Sequence, residues 1–110
     1  MDELLEPAFR VDQDESADGL VIRLIGEMDM SNVDQARKPI LAAMDGDGGK
    51  PVVIDLSELE FIDSSGIRLL LEAQAASNAD SNRLSFRGAR EQVAQTLRVT
   101  AVDETINLSD

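Results

Sequence analysis

The feature that most constrains the fold is an apolar run followed by a polar helix start. Pro51–Leu56 reads PVVIDL, and a strand that is apolar on both sides is typical of a central position in a sheet. After a short connection at 57–62, the tetrad Asp63–Gly66 (DSSG) precedes apolar residues at helical spacing, which predict a helix from about Ser64 to Ser77. The residues expected to face the core are Ile67, Leu70, Leu71 and Ala75, and Arg68 is expected to pair with Glu72 on the outside.

Three further strands follow from alternating polarity. Phe9, Val11 and Gln13 predict a first strand at about 8–13, and the segment 20–26 (LVIRLIG) predicts a second. The turn-rich segment 16–19 between them predicts a hairpin. Leu84 and Phe86 alternate with polar neighbours and predict a final edge strand with one wet face.

Two further helices follow from apolar residues at helical spacing. The first is predicted to begin at Ser31, with Asp34 completing a capping box, and to kink or fray at Pro39. The last is predicted at 90–97, with Val93 and Leu97 inward. The tail is expected to form a short fourth helix or an irregular cap.

The predicted fold class is therefore α/β with the element order β-β-α-β-α-β-α. We expect a mixed four-stranded sheet, with the first strand antiparallel and the others parallel through right-handed crossovers. The helices should pack mainly on one face. Residues 8–110 are expected to form one domain after an acidic leader at 1–7, and the segment 45–50 (DGDGGK) is expected to be a loop.

Composition excludes several classes of function. The chain has 110 residues with no cysteine and no histidine, so thiolate chemistry and histidine-based catalysis are ruled out. A net charge of −12 makes nucleic acid an improbable partner. No apolar run is long enough to cross a membrane, and the acidic N-terminus is unlike a signal peptide, so we expect a cytoplasmic protein without membrane insertion.

The tetrad allows two interpretations from its chemistry alone. Aspartate, serine and glycine are common at helix starts, so a plain cap is the simpler one. Alternatively, the free amides of a helix N-terminus would receive a phosphate on a serine, with Gly66 leaving room for a partner's backbone. Glu27 with Asp29, or Asp45 with Asp47, could suggest a metal site, but the spacing lacks the other ligands of a calcium loop, so no metal and no cofactor are expected.

Three segments resemble the STAS family, the sulphate-transporter and anti-sigma-factor-antagonist domain. Val53–Ser57 followed by Phe61–Gly66 is similar to the signature D-L-S and then F-x-D-S-S-G. Gly26–Asp29 (GEMD) is similar to the family's G-E-x-D turn, and Gln95–Val102 to its late helix and following turn. The resemblance covers about residues 8–108 and implies the STAS fold.

The resemblance also implies a phosphorylation switch. In stand-alone bacterial members, an anti-sigma factor that is a serine kinase phosphorylates the first serine of the tetrad, which corresponds to Ser64. The unphosphorylated form binds the kinase and frees a sigma factor, and a serine phosphatase reverses the modification. The residues expected to contact the kinase are Glu27, Asp29, Asp63, Ser65, Gly66 and Arg68.

Three positions depart from the family pattern. Arg68 stands where several relatives have a small residue, Ala101 replaces the usual glycine of a turn, and Pro39 interrupts the first helix. These departures bear on which kinase fits and on the shape of the last connection.

Two alternatives to an anti-sigma factor antagonist remain open. The first is a STAS accessory subunit of an ABC-type transport system, which shares the fold but has no phosphoserine cycle. The second is an enzyme that uses Ser64 as a nucleophile, which the lack of histidine and cysteine disfavours.

Overall fold

The computed structural model describes residues 8–45, 50–78 and 83–109. The leader predicted at 1–7 and most of the loop predicted at 45–50 lie outside these residues. The strands are β1 (Phe9–Ser16), β2 (Gly19–Met28), β3 (Val52–Ile62), β4 (Leu84–Arg87) and β5 (Leu108–Ser109). The helices are α1 (Val33–Asp45), α2 (Ser64–Asn78) and α3 (Glu91–Val99).

The sheet has five strands in the order β1-β2-β3-β4-β5. β1 and β2 form the predicted antiparallel hairpin, and the other neighbours are parallel. This order confirms the mixed α/β class. In this order, right-handed crossovers return each helix to the same face of the sheet.

The prediction of four strands is wrong, because the tail adds a fifth. A 3₁₀ turn at Val102–Glu104 is followed by β5, in which Leu108 pairs with Phe86 and Ser109 with Arg87. β4 is therefore an inner strand and not the edge. A two-residue strand is too short to show alternation, so periodicity could not predict it.

β3 is longer than predicted, because the expected connection at 57–62 continues the strand. Arg23 pairs with Asp55 and Ile25 with Glu58, so β3 carries one more residue than β2 over this interval. A second shift of the pairing register, again with one extra residue in β3, follows between Gly26 and Glu27. Such bulges bend and twist a strand. They carry β3 to Ile62, which pairs with Met28 at the edge where α2 begins.

The core lies between the helices and one face of the sheet. Ile22, Leu24, Ile54 and Phe86 are fully buried there. Helix α3 contributes Val93 and Leu97, as predicted, and helix α1 contributes Val33, Ala36, Ile40 and Met44.

Helix α2 buries a slightly different stripe from the one predicted. Leu69, Leu70 and Ala73 are fully buried, whereas Ala75 is exposed. The core-facing side of α2 is therefore formed by residues 66, 69, 70 and 73. This rotation leaves Ser64 and Arg68 on the exposed side.

Helix α1 starts two residues later than predicted and without the capping box. The Ser31 backbone N–H and hydroxyl both donate to Asp29, and the side chain of Asp34 pairs with Arg37. Pro39 lies inside α1, which is one helix through Asp45.

The last connection keeps a conformation that suits glycine even though alanine occupies it. Ala101 has φ 62° and ψ 16°, in the left-handed region where a Cβ is disfavoured. The alanine at this position therefore adds local strain to the turn.

Candidate functional site

Ser64 lies at the point where β3 ends and α2 begins. It is the first residue of α2 and its side chain is exposed. No hydrogen bond joins its hydroxyl to any other residue in the described ranges. A kinase could therefore reach this hydroxyl without unfolding any part of the domain.

Asp63 caps the helix that Ser64 begins. The backbone N–H groups of Ser65 and Gly66 donate to Asp63 Oδ1 at 2.8 and 3.2 Å, which is the usual arrangement at a helix N-terminus. The expectation of free amides for a phosphate is therefore wrong at these two positions. A phosphate on Ser64 would lie beside a carboxylate that already accepts both hydrogen bonds.

The loop between β2 and α1 lies against this helix start. The Met30 backbone N–H donates to Asp63 Oδ2 at 3.3 Å, and the Asp63 backbone N–H donates to the Met28 carbonyl at 3.2 Å. The structure therefore brings the segment that contains Glu27 and Asp29 to the edge that carries Ser64, because the carboxyl ends of β2 and β3 are neighbours.

Asn32 holds this loop in place, and sequence reasoning missed it. Its side chain is buried, accepts from the Asp29 backbone N–H at 2.9 Å and donates to the Glu27 carbonyl at 3.0 Å. Asparagine just before a helix is a known signal for an N-cap. The prediction placed the cap at Ser31 instead, and the Asn32 side chain bonds to the preceding loop and not to the amides of α1.

Asp29 is ionised at neutral pH. Hydrogen bonds from the Ser31 side chain and backbone, and one from the Asn32 backbone, outweigh partial desolvation and lower the pKa of the Asp29 carboxyl. The edge around Ser64 therefore carries fixed negative charge from this residue.

Gly66 serves packing, and the expectation that it leaves room for a partner is wrong. Gly66 is buried, and a Cβ at this position would lie 2.5 Å from Ile62 Cγ1 and 2.9 Å from Met28 Cε. Its missing side chain lets α2 approach the end of the sheet closely. Ser65 is half-buried and also lies mainly within the domain.

Arg68 is exposed on α2, one helical turn after Ser64. The predicted pair with Glu72 does not form, because Glu72 accepts from Arg37 of α1 at 3.1 and 3.2 Å. Arg68 makes no ion pair with another residue of the described ranges. Its guanidinium is thus available to a group at Ser64 or to a partner.

Two large apolar side chains are exposed near this edge, and both were missed as surface features. Met30 is 79% exposed and Phe61 is 50% exposed. Ile62, the next residue along β3, is by contrast buried. Because the bulges in β3 change which face a side chain occupies, simple alternation could not predict this.

The described residues contain neither a metal-binding cluster nor a membrane-spanning helix. No group of three or more acidic residues there could hold a metal ion; Asp47, considered in the sequence, lies outside the described residues. None of the described helices has both the length and the apolar character needed to cross a membrane.

A mixed sheet with this arrangement of helices matches the fold of solved STAS structures. The chain belongs to the STAS domain family: the family model described as "Mlab, STAS domain" matches residues 11–109.

Its relatives include anti-sigma factor antagonists. The anti-sigma-B factor antagonist of Staphylococcus aureus is 20% identical over 89 residues, which cover 81% of this chain and 82% of that protein. The anti-sigma factor antagonist SpoIIAA in its unphosphorylated form is 25% identical with a TM-score of 0.75, covering 94% of this chain and 87% of that one. SpoIIAA of Bacillus in the phosphorylated form has a TM-score of 0.68 at 25% identity, covering 94% and 90%.

A transport assembly contains a similar fold. A chain of the Acinetobacter MlaFEDB complex is 20% identical with a TM-score of 0.70, covering 90% of this chain and 100% of that one. This likeness shows a shared fold. The relatives in the preceding paragraph support the general role of an anti-sigma factor antagonist, a regulatory binding protein.

Proposed function

We propose that this protein is an anti-sigma factor antagonist that phosphorylation at Ser64 switches off. In the unphosphorylated form it binds an anti-sigma factor that is a serine kinase and thereby releases a sigma factor in the cytoplasm. A serine phosphatase restores the binding form. The observation that carries the proposal is the exposed hydroxyl of Ser64 at the first position of α2, beside the loop between β2 and α1.

The switch acts through local charge. A phosphate adds about −1.5 to −2 charges at an edge where Asp63 and Asp29 already lie. Docking of the kinase over this edge would bury the new charge close to both carboxylates. A loss of about 2–3 kcal/mol would weaken binding roughly 30- to 150-fold, and no rearrangement of the fold is required.

Arg68 moderates this effect. An acidic group four residues before a basic one on a helix is attracted by about 0.2–0.5 kcal/mol, so the guanidinium offsets part of the phosphate charge. Relatives with a small residue at this position lack that compensation. Arg68 therefore helps to determine how completely phosphorylation releases the partner.

The experiment has two parts. Wild-type protein is used to capture its partners from the source cells with and without phosphatase treatment, and mass spectrometry identifies both the partner and the modified residue. Binding of the captured kinase is then measured for Ser64→Ala, Ser64→Asp and the matched neighbour Ser65→Ala.

We expect the kinase to modify wild type and Ser65→Ala, and to leave Ser64→Ala unmodified. Ser64→Asp should bind the kinase more weakly than Ser64→Ala. The proposal is wrong if no kinase is captured, or if both Ser64 variants bind like wild type while phosphate appears elsewhere.

A second candidate function is that of a STAS accessory subunit in an ABC-type transport system. The description of the matching family model favours it. In that case the wild-type protein would co-purify with an ATPase and a permease, and Ser64→Asp would reduce that association no more than Ser65→Ala does.

A further inference from the structure

A second surface feature lies on the same edge as Ser64. An open cleft of about 410 Å³ is lined by Glu27, Glu60, Phe61 and Gln92. It joins the ends of β2 and β3 to the first turn of α3. Phe61 pairs in register with Glu27, so the aromatic ring and a carboxylate come from adjacent positions of two strands.

The charge in this cleft has no counter-ion in the described structure. Both glutamates are exposed, and neither forms an ion pair with another described residue. None of the four lining residues is basic. A carboxylate pair beside a half-exposed phenyl ring attracts a cation, because the ring face and the carboxylates both carry negative potential.

Among cations, the guanidinium of arginine fits this set best. It is planar and stacks on aromatic rings, and its fork of donors matches carboxylates. The Gln92 side chain adds an amide oxygen that can accept a further donor. An ammonium group would attract the same carboxylates but would gain less from the ring and from a bidentate arrangement.

The surface continues from this cleft along α3. Gln92 also lines a smaller cleft of about 270 Å³ with Gln95, Thr96, Val99 and Thr100. Val99 is 78% exposed and lies about 10 Å along the helix axis from Gln92, at about 1.5 Å per residue. A partner that reaches the cleft would therefore meet an apolar contact at Val99.

We propose that the Glu27–Glu60–Phe61–Gln92 cleft receives an arginine side chain of the kinase that binds this protein. This inference rests on the proposed function and specifies which kind of kinase side chain binds at the edge that carries Ser64. The cleft lies beside the phosphoacceptor and does not contain it. It supplies binding energy in the unphosphorylated complex and selects partners that carry an arginine at the matching position.

The test uses the full chain and the kinase captured with wild-type protein. Calorimetry measures the affinity of Phe61→Leu, which retains an apolar side chain without the ring face, and of Glu60→Gln, which removes one charge. Glu15→Gln is the matched control, because it removes the same charge from an exposed position near the hairpin turn, at the far end of β1. Thermal unfolding verifies that each variant is folded.

We expect binding to weaken about 5- to 20-fold for Phe61→Leu and about 3- to 10-fold for Glu60→Gln. Glu15→Gln should stay within about twofold of wild type. The exposed arginines of the kinase are replaced by alanine one at a time. In one of these kinase variants, Glu60→Gln should cause no further loss of affinity, as a double-mutant cycle would show.

The outcomes separate the inference from the function on which it rests. If the kinase binds and phosphorylates Ser64 but both cleft variants stay within twofold of wild type, the cleft is outside the interface and the inference is wrong. If the cleft variants weaken binding and no kinase arginine couples to Glu60, the arginine assignment is wrong. If wild type binds no kinase at all, the proposed function fails and the inference falls with it.

Discussion

Removal of the Asp63 carboxylate tests how the site is built. Asp63→Ala deletes the acceptor for the Ser65 and Gly66 amides at 2.8 and 3.2 Å and for the Met30 amide at 3.3 Å. Loss of an N-cap costs about 1 kcal/mol. The lost interaction of a negative charge with the helix dipole adds about 0.3–1 kcal/mol. With the exposed Met30 bond, the total destabilisation is about 2 kcal/mol.

Asp63→Asn separates the hydrogen bonds from the charge. The asparagine side chain retains one oxygen that can accept from the Ser65 and Gly66 amides, but its NH2 group cannot accept from Met30. The variant therefore loses the charge contribution of about 0.3–1 kcal/mol together with the exposed Met30 bond. For a domain of this size, 1 kcal/mol corresponds to about 4–5 °C in the unfolding midpoint. We expect Asp63→Ala to lower the midpoint by about 8–10 °C and Asp63→Asn by about 2–6 °C.

Thermal unfolding followed by circular dichroism measures both effects, with Asp14→Ala as the control. Asp14 is an exposed acid on β1, away from the helix start, and its removal should change the free energy of unfolding by less than about 0.5 kcal/mol. If Asp63→Ala resembles Asp14→Ala, Asp63 is not a structural cap. If the asparagine variant is as unstable as the alanine variant, charge and not hydrogen bonding dominates.

Three further substitutions have defined outcomes. Gly66→Ala should lower the stability in urea. Overpacking against Ile62 costs about 1–3 kcal/mol, which exceeds the gain of about 1 kcal/mol in helix propensity. An unchanged urea midpoint would contradict the packing role of Gly66. Ala101→Gly should raise the stability by up to about 1 kcal/mol, because relief of left-handed strain exceeds the entropic cost of glycine. A lower stability of this variant would show that the turn is unstrained. Asp55→Asn should destabilise the protein at pH 7 and less near pH 3, as measured by urea unfolding at both values. An equal loss at both would exclude an electrostatic role.

The pH dependence follows from the surroundings of Asp55. Burial by itself would raise the pKa of this carboxyl, but hydrogen bonds from Ser57 and the charges of Arg87 and Arg23 together lower it below its usual value. Because the pKa is lower in the folded protein, the ionised carboxylate stabilises the fold above the unfolded pKa of about 3.9. This stabilisation is lost as the pH falls through the folded pKa.

Local sequence patterns were sufficient for most of the secondary structure and for the helix start that carries Ser64, whereas its proposed role as phosphoacceptor came from the family resemblance. The order of the elements through α3, the antiparallel hairpin and the buried stripe of α1 all follow from periods of two and 3.6 residues. The position of Ser64 at the start of α2 follows from the same rules, since aspartate and serine precede a helical apolar stripe. These signals are local, because each depends on residues a few positions apart.

The contacts around the site were decided by tertiary structure. The two extra residues in β3 place Phe61 at the surface and bring Met28 beside Ile62, which explains why Gly66 cannot carry a side chain. The partner of Glu72 is Arg37 of another helix and not Arg68, one turn away. The fifth strand exists only because β4 offers it a free edge. Such outcomes depend on which distant segments meet, and no period in a single sequence records that register.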